Sequence, residues 1–240
     1  MTEIGGGQVA QEGDIWRLTL PAVSARVYAD AQLSTYRTRQ DFRHRPPLEL
    51  RLRARFTREI PGTAGFGFWN HPFGPGMRGL RLPTAVWFFY GAPSNNMALA
   101  RDVPGRGWKA AQIDAAHAEF LALLPTAPAA ALLMRSRRLY RWLWPIAQRA
   151  MRVSEHLIAE APDSAWHDYC LEWARDGVRF SVDGDCIHES GMSPRGPLGF
   201  VAWIDNQYAV VTPQGKFDFG VTASDSASTL EIAQVLIVES

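Results

Sequence analysis

The chain has 240 residues, of which 47% are hydrophobic and 20% charged, and its formal net charge is +1. This composition is typical of a globular protein, and the charge balance gives no reason to expect a nucleic-acid partner. No window of about 20 apolar residues is free of charge, so no membrane-spanning helix is predicted. All-β domains of this length are common as single units, and a core of this size needs neither a metal nor a disulfide.

The N-terminal residues 1–13 predict a flexible lead-in, followed by one domain over residues 14–240. The lead-in has no basic region before an apolar stretch, so no signal peptide is visible and we expect a cytoplasmic location. A mature form whose leader had been removed would look the same. The two cysteines, Cys170 and Cys186, are too few for a metal site, and we expect them to remain unpaired.

Alternating apolar and polar residues predict strands through the first hundred positions. Within Leu48–Thr57, apolar residues occupy every second position, which is the period of a half-exposed antiparallel strand. The arginines between them favour a solvated outer sheet face over a basic binding patch. Asn95–Ala100 is expected to pair with Thr84–Tyr90. The other strands are predicted at Asp14–Leu20, Ala25–Thr38 and Thr63–Asn70, with a Gly/Pro-rich loop over His71–Arg81.

The pattern changes to helical spacing from about residue 109 to about residue 160, which predicts a helical insertion. Leu132, Leu139 and Leu143 share one side of a helix that carries several arginines on the other. Basic amphipathic helices that bear tryptophan can lie on membranes. The pattern favours instead a helical excursion packed on the domain or on a second subunit, with its arginines outward. No membrane contact is therefore expected, and a homo-oligomer formed through the insertion is left open.

The β pattern returns in the last third of the chain. His167–Ala174 and Val178–Gly184 flank an Asp-Gly pair at 176–177, a strong signal for a two-residue hairpin turn. This register pairs Trp173 with Phe180 and keeps the large apolar residues on one face. The elements together favour an antiparallel sandwich. Further strands are predicted at Leu198–Asn206 and Thr229–Val238, with a long loop between them.

The hairpin carries a resemblance to a known family. Its residues, Trp166-His-Asp-Tyr-Cys-Leu-Glu-Trp173 and then Asp176-Gly-Val-Arg-Phe-Ser-Val-Asp-Gly184, resemble the W-H-x-Y-x-x-E-W and D-x-x-x-F-x-V-D-G hairpin of glycoside hydrolase family 16, the laminarinases and lichenases. The resemblance implies an all-β fold, a concanavalin A-like jelly-roll sandwich of two antiparallel sheets. Here the helical insertion would interrupt it at about 109–160. The family's sugar-binding cleft lies on the concave face of such a sandwich.

The chain departs from this family where the family carries its catalytic residues. Family enzymes have E-x-D-x-x-E on a central strand, whose period of two aims the carboxylates into the cleft. The strand in that place here is Thr84–Tyr90, and no Asp or Glu occurs between Glu59 and Asp102. Hydrolysis is therefore not carried over, no residue is assigned a catalytic role, and no cofactor is expected. The sequence favours a non-hydrolytic protein that binds a carbohydrate or another small extended ligand in an aromatic cleft.

The predicted ligand-binding residues are aromatic, amide and acidic side chains around that cleft. Aromatic rings stack on the C–H faces of sugars, and amides bond to hydroxyl groups. Because alternate residues of a buried strand must face the core, one of the two sets on Thr84–Tyr90 is packing, and the sequence leaves open which. The predicted set is Trp69, Asn70, His71, Trp87, Phe89, Asn95, Trp203, Asp205 and Asn206.

Two alternative hypotheses remain at this point. Asp205 shares a strand face with Trp203, so a glycosidase or lyase with relocated catalytic residues could be built on it. An interaction protein could act through the helical insertion instead. The six histidines are scattered and no paired His or Cys spacing occurs, so no metal site is predicted.

Overall fold

The structure, a computed structural model, describes residues 1–56, 59–71, 81–159 and 162–239. Three α-helices occur in this part of the chain: α1 (Ala118–Leu123), α2 (Ala127–Leu133) and α3 (Arg137–Ala150). The strands are β1 (Thr2–Ile4), β2 (Gln8–Glu12), β3 (Ile15–Leu20), β4 (Asp30–Ser34), β5 (Leu48–Phe56), β6 (Thr63–Trp69), β7 (Thr84–Gly91), β8 (Asn96–Met97), β9 (Gly107–Asp114), β10 (Ser154–Leu157), β11 (His167–Trp173), β12 (Val178–Val182), β13 (Asp185–Ser190), β14 (Gly199–Asp205), β15 (Gln207–Val211), β16 (Phe217–Val221) and β17 (Ser228–Glu239).

Two seven-stranded antiparallel sheets form the body of the protein. The first sheet has the order β1-β4-β14-β6-β7-β9-β10, and the second sheet has the order β13-β12-β11-β5-β17-β3-β2. A small third sheet, β16-β15-β8, joins β8 to β15 in parallel. The arrangement confirms the predicted all-β jelly-roll sandwich.

The hydrophobic core lies between the two large sheets. Every second residue of β5 is buried, as its period of two predicts. From the first sheet, Phe68 packs on Trp173 of the second with ring centroids 5.6 Å apart, and Phe88 packs on Phe180 at 5.2 Å. Burying such side chains supplies the main driving force for the fold, at roughly 1.5–3 kcal/mol each. Because Phe88 points into this core, its neighbour Trp87 on β7 points away from it.

The helical segment is shorter than predicted. Its three helices lie within residues 118–150, whereas Gly107–Asp114 is strand β9 of the first sheet and Ser154–Leu157 is strand β10. The first residues of the predicted helical stretch belong instead to a buried strand, in which Ala110 is 0% and Ala111 5% exposed. Trp144 of α3 packs in one cluster with Ala85 of β7 and Ile113 of β9. The helices therefore cover one end of the first sheet on the side away from the core.

Three other predictions are corrected. The first thirteen residues are not a flexible lead-in, since β1 pairs with β4 and β2 pairs with β3. The partners of β7 are β6 and β9 rather than Asn95–Ala100, of which only two residues form a strand. The predicted loop before the closing strand contains the hairpin β15–β16. The loop predicted at His71–Arg81 lies, apart from its two end residues, outside the described part of the chain.

The predicted hairpin forms with its register shifted by two residues. Trp173 pairs with Val178 rather than with Phe180, because the turn uses the four residues 174–177. The shift is even, so every side chain keeps its predicted face. The two-residue Asp-Gly turn occurs instead at 183–184, where both residues have positive φ, and it joins β12 to β13. Both cysteines are free.

Candidate functional site

Four of the predicted aromatic residues meet on the side of the first sheet that faces away from the core. We term Trp69, Trp87, Phe89 and Trp203 the aromatic face. The rings of Trp69 and Trp203 are parallel, with centroids 6.1 Å apart, and Trp87 lies 5.2 Å from Trp203. The sequence leaves open which face of β7 packs in the core. In the structure Val86, Phe88 and Tyr90 pack in the core, and Trp87 and Phe89 lie on the opposite face with the candidate site.

The aromatic face has an inner and an outer layer. Trp203 and Phe89 are only 7% and 8% exposed, whereas Trp69 and Trp87 are partly exposed. A glycine makes room for the inner layer, because a Cβ on Gly65 would lie 2.9 Å from the ring of Trp203. The outer rings are available to a ligand, and the inner rings hold them in place.

Tyr36, which the sequence analysis missed, links the aromatic face to His71. The indole N–H of Trp69 donates to the Tyr36 hydroxyl, and the same oxygen lies 2.8 Å from Nδ1 of His71. Burial, together with the nearby charge of Arg39, lowers the pKa of His71 to about 4, so the ring is neutral at physiological pH.

The second ring nitrogen of His71 is left for a ligand. Nδ1 shares a hydrogen bond with the Tyr36 hydroxyl, which also accepts from Trp69. Within the described residues, Nε2 has no hydrogen-bond partner. His71 itself has a left-handed backbone, with φ of 45°, and such strained residues cluster at functional sites. The neutral ring therefore offers Nε2, as donor or acceptor according to its tautomer, beside Trp69.

Two buried aspartates face one another on the same side of the first sheet. Asp30 of β4 and Asp205 of β14 are direct cross-strand partners, next to Trp203. Asp205 accepts hydrogen bonds from the backbone N–H and the hydroxyl of Thr63, at 2.9 and 3.0 Å, and from the backbone N–H of Gln207 at 3.0 Å. Within the described residues, the Asp30 carboxyl has no such donor.

The two aspartates differ in how readily they ionise. Burial and the charge of Asp205 raise the pKa of Asp30 to about 8. Burial also raises the pKa of Asp205, to about 7, against the opposing effect of its hydrogen bonds from Thr63 and Gln207. Asp205 consequently loses its proton first, and at neutral pH Asp30 is a carboxylic acid that can donate a hydrogen bond.

The three predicted asparagines are used to hold the backbone. Each side-chain amide both donates and accepts hydrogen bonds within the protein, and Asn95 and Asn206 are at most 2% exposed. Their side chains therefore stabilise loops at the ends of the first sheet rather than extend the aromatic face. The partners are Leu82 and Thr84 for Asn70, Gly62 and Ala209 for Asn95, and Val27, Ala29 and Thr222 for Asn206.

Strand β4 contributes polar residues that the sequence analysis did not assign to the site. Asp30, Gln32 and Ser34 alternate with residues that face the core, and Gln32 lies directly opposite Trp203. The alternation along β4 is visible in the sequence and shows that Asp30, Gln32 and Ser34 share one face. It does not show that this face is the one that carries Trp203, because that depends on the pairing of β4 with β14. Of the predicted set, the structure brings together the four aromatic residues and His71, with Asp205 at one end of the same face.

The remaining part of this side of the sheet, over β9 and β10, is closed. Lys109 and Glu155 form an ion pair of 3.3 Å, with side chains only 1% and 5% exposed. The ammonium group also donates to the carbonyl of Met97, and the carboxylate accepts from the backbone of Ala100. Burial raises the pKa of Glu155, and the Lys109 charge opposes that shift. The candidate site is therefore limited to β4, β14, β6 and β7.

The described residues hold neither a metal cluster nor a membrane-spanning helix. No group of three or more His, Cys, Asp or Glu side chains there could hold a metal ion. Among the helices of this same part of the chain, none is long and apolar enough to cross a membrane.

The fold and site together define a concanavalin A-like jelly roll with an aromatic face on its first sheet. Among solved structures, a prokaryotic β-1,3-1,4-glucanase (lichenase) from a mouse hindgut metagenome is 9% identical. The match covers 96% of this chain and 82% of that one, with a TM-score of 0.50. The Crh5 transglycosylase in complex with NAG is 11% identical over 99% of this chain and 77% of that one, also with a TM-score of 0.50.

The β-glucanase of Bacillus licheniformis is 9% identical over 97% of this chain and 82% of that one, with a TM-score of 0.48. No protein-family model matches the chain, and no curated protein matches it. At these identities the likeness shows the fold alone. The resemblance expected from the hairpin therefore holds for the jelly-roll fold of the glucanases.

Proposed function

We propose that this protein binds a neutral carbohydrate, or an extended ligand of similar character, on its aromatic face without hydrolysing it by the two-carboxylate mechanism. The observation that carries the proposal is the outward position of Trp69 and Trp87, partly exposed above the buried rings of Trp203 and Phe89. Rigid aromatic rings supply a large contact area at a small cost in conformational entropy.

The polar groups around these rings also suit an uncharged ligand. His71 is neutral and leaves Nε2 without a partner among the described residues, and Asp30 is protonated at neutral pH. Both can bond to hydroxyl groups without bringing a net charge into a poorly solvated site, where an isolated charge is costly. Gln32, opposite Trp203, adds an amide to the same surface.

The proposed lack of hydrolysis is supported by the arrangement of carboxylates. Glycosidases place two carboxyl groups on either side of the scissile bond, about 5–9.5 Å apart. Every second residue of β7 faces the site, and these are Ala85, Trp87, Phe89 and Gly91. None of these four residues is acidic, and of the two aspartates of the site, which are cross-strand partners, Asp205 is committed to its hydrogen bonds.

A second candidate function is catalysis that uses Asp30 as a general acid. The observation that favours it is the buried, protonated carboxyl that no described residue contacts through a hydrogen bond. General acids near neutral pKa typically accelerate reactions about 10²- to 10⁴-fold. The release of reducing ends from the same oligosaccharides, compared between the wild type and Asp30→Asn, distinguishes the two functions: turnover that Asp30→Asn abolishes supports catalysis.

The proposal is tested by calorimetric titration with β-glucan and galactan oligosaccharides. Trp69→Ala and Trp87→Ala should each weaken binding about tenfold or more, because removal of an aromatic anchor typically costs about 2 kcal/mol. Trp166→Ala is the matched control, since this partly exposed ring lies over Arg53 and Arg55 on the second sheet.

The control variant should bind as the wild type does. Thermal melting of each variant separates loss of the site from loss of the fold, and Trp69→Phe, which keeps a ring, should retain part of the affinity. The proposal is wrong if the folded wild type binds no member of the panel, or if the control weakens binding as much as the two site variants do.

A further inference from the structure

The helical segment carries an unusual concentration of exposed apolar side chains. Five of them are between 47 and 75% exposed: Leu121, Leu132, Leu133, Trp142 and Ile146. On α3, Trp142 and Ile146 are four residues apart and form one stripe, while Trp144 is turned inward. Monomeric proteins rarely leave so many large apolar groups side by side without a partner.

The hairpin β15–β16 extends this apolar surface. Phe217 and Phe219 of β16 are 66% and 56% exposed. The hairpin turn lies against α2, because a methyl group on Gly215 would be 3.6 Å from the Cβ of Ala131. Two segments that are distant in sequence therefore lie close together at the hairpin turn, and both expose large apolar side chains.

Unpaired positive charge surrounds the apolar stripe. Residues 120–154 contain six arginines and no Asp or Glu, although the whole chain is almost neutral. In the part of the chain that the structure describes, no carboxylate forms an ion pair with Arg135, Arg137, Arg138, Arg141 or Arg149. Three of them, Arg137, Arg138 and Arg141, line a groove of about 1000 Å³ together with Trp142.

We propose that this side of the molecule, formed by the helical segment with the β15–β16 hairpin, docks on the surface of an anionic phospholipid bilayer. Apolar side chains and a tryptophan flanked by arginines are the combination that lies in a membrane interface, with the guanidinium groups at the level of the phosphates. No helix in the described residues can span the bilayer, so the contact is with one leaflet.

A bilayer explains the observations better than a second copy of the chain does. Two copies that met through this surface would bring the unpaired arginines of both together, and like charges oppose such a contact. An anionic leaflet neutralises them and covers the apolar stripe at the same time. The sequence alone favours a helical excursion with arginines outward; the exposure of Trp142, Ile146 and the two phenylalanines in the structure changes that balance.

Co-sedimentation of the full chain with vesicles tests the proposal. Binding is expected to vesicles of equimolar phosphatidylcholine and phosphatidylglycerol, and should be at least tenfold weaker to phosphatidylcholine alone. Added salt should weaken it, because screening reduces the attraction between the arginines and the anionic surface. The double variant Trp142→Ser, Ile146→Ser should lower partitioning at least tenfold.

The apolar variant and a second variant that removes charge each have a matched control. Leu236→Ser with Val238→Ser removes side chains of similar exposure, 51% and 43%, from β17 of the second sheet, and should leave binding unchanged. For charge, Arg137→Gln with Arg138→Gln should weaken binding to the anionic vesicles, whereas the exposed Arg26→Gln with Arg43→Gln should not.

The proposal fails if the folded wild type does not sediment with anionic vesicles at low salt, or if the apolar variant and its control behave alike. It also fails if sedimentation velocity shows a self-associated wild type that Trp142→Ser, Ile146→Ser converts to a monomer while vesicle binding is absent. Glycan titration of the same variants is expected to be unchanged, which keeps this test separate from that of the aromatic face.

Discussion

Glu231 on the second sheet is held in its charged form, whereas Asp30 and His71, beside the aromatic face of the first sheet, are held in neutral forms. Glu231 on β17 is 3% exposed, and burial alone would raise its pKa. Hydrogen bonds from Arg17 and Arg55 outweigh that effect and lower the pKa. On the first sheet, burial and the charge of Asp205 raise the pKa of Asp30, and burial with the charge of Arg39 lowers that of His71.

The difference shows what each sheet surface faces. The outer surface of the second sheet carries charged side chains in ion pairs. Near water such pairs change the free energy of unfolding little, and they favour solubility. The site on the first sheet combines indole rings with His71 and Asp30, whose neutral forms can bond to hydroxyl groups, and the guanidinium of Arg39 lies nearby, where it donates to the carbonyl of His71. The contrast between the two surfaces fits the neutral polyhydroxylated ligand that we propose.

The largest expected effect comes from the buried ion pair of Lys109 with Glu155 on the closed part of the first sheet. Lys109→Met leaves Glu155 buried without its partner, and breaking a buried pair typically costs about 3 kcal/mol in the free energy of unfolding. Urea denaturation at neutral pH measures this loss. The double variant Lys109→Met, Glu155→Met should recover most of it, because no unpaired charge remains; a double variant as unstable as the single one would contradict this account.

A smaller loss is expected on the second sheet. Glu231→Gln removes the carboxylate that binds Arg17 and Arg55, at a cost of about 2 kcal/mol in the free energy of unfolding. The effect should fade in acid: because the folded pKa of Glu231 is lowered, its stabilisation is present above the unfolded pKa and is lost as pH falls through the folded value. Glu12→Gln, at an exposed partner of Arg17, should change stability by less than about 0.5 kcal/mol.

Asp30→Asn is expected to act in the opposite direction and to stabilise the protein. The folded pKa of about 8 lies above the unfolded value, so the wild type loses stability as pH rises from about 4 to about 8. An amide of the same shape does not ionise, and the variant should exceed the wild type by more than about 1 kcal/mol at pH 8. Thermal or urea unfolding across this range measures the gap, which should vanish near pH 4; a gap independent of pH would show that ionisation is not its cause.

The core strands could be predicted because their pattern is local. β5, β6, β7 and β14 each carry their own alternation or a dense aromatic run, and all four were placed to within one or two residues. Strand β9 could not be predicted in this way. Its central residues are two alanines, Ala110 and Ala111, which fit a buried strand and a helix equally well. The hairpin register was displaced by two residues because two Asp-Gly pairs compete for the tight turn and only the second, at 183–184, adopts it.

The site was predictable only in part for a similar reason. The aromatic residues could be proposed because the alternation on β6, β7 and β14, visible in each strand alone, groups side chains by face. Asp30 and Tyr36 become site residues only through the pairing of β4 with β14, across some 170 positions of sequence, and through hydrogen bonds to residues far along the chain. The asparagines were assigned to the ligand because an amide that bonds to a sugar and one that holds a loop look the same in sequence.

The two short strands at the start of the chain have a consequence for its behaviour in solution. β1 is the last strand on one side of the first sheet, and β2 is the last strand on one side of the second. Truncation of the first thirteen residues would bare the backbone N–H and C=O groups of β4 and β3 together, two adjacent unprotected edges that can template intermolecular pairing. The short N-terminal segment thus shields both sheets against aggregation.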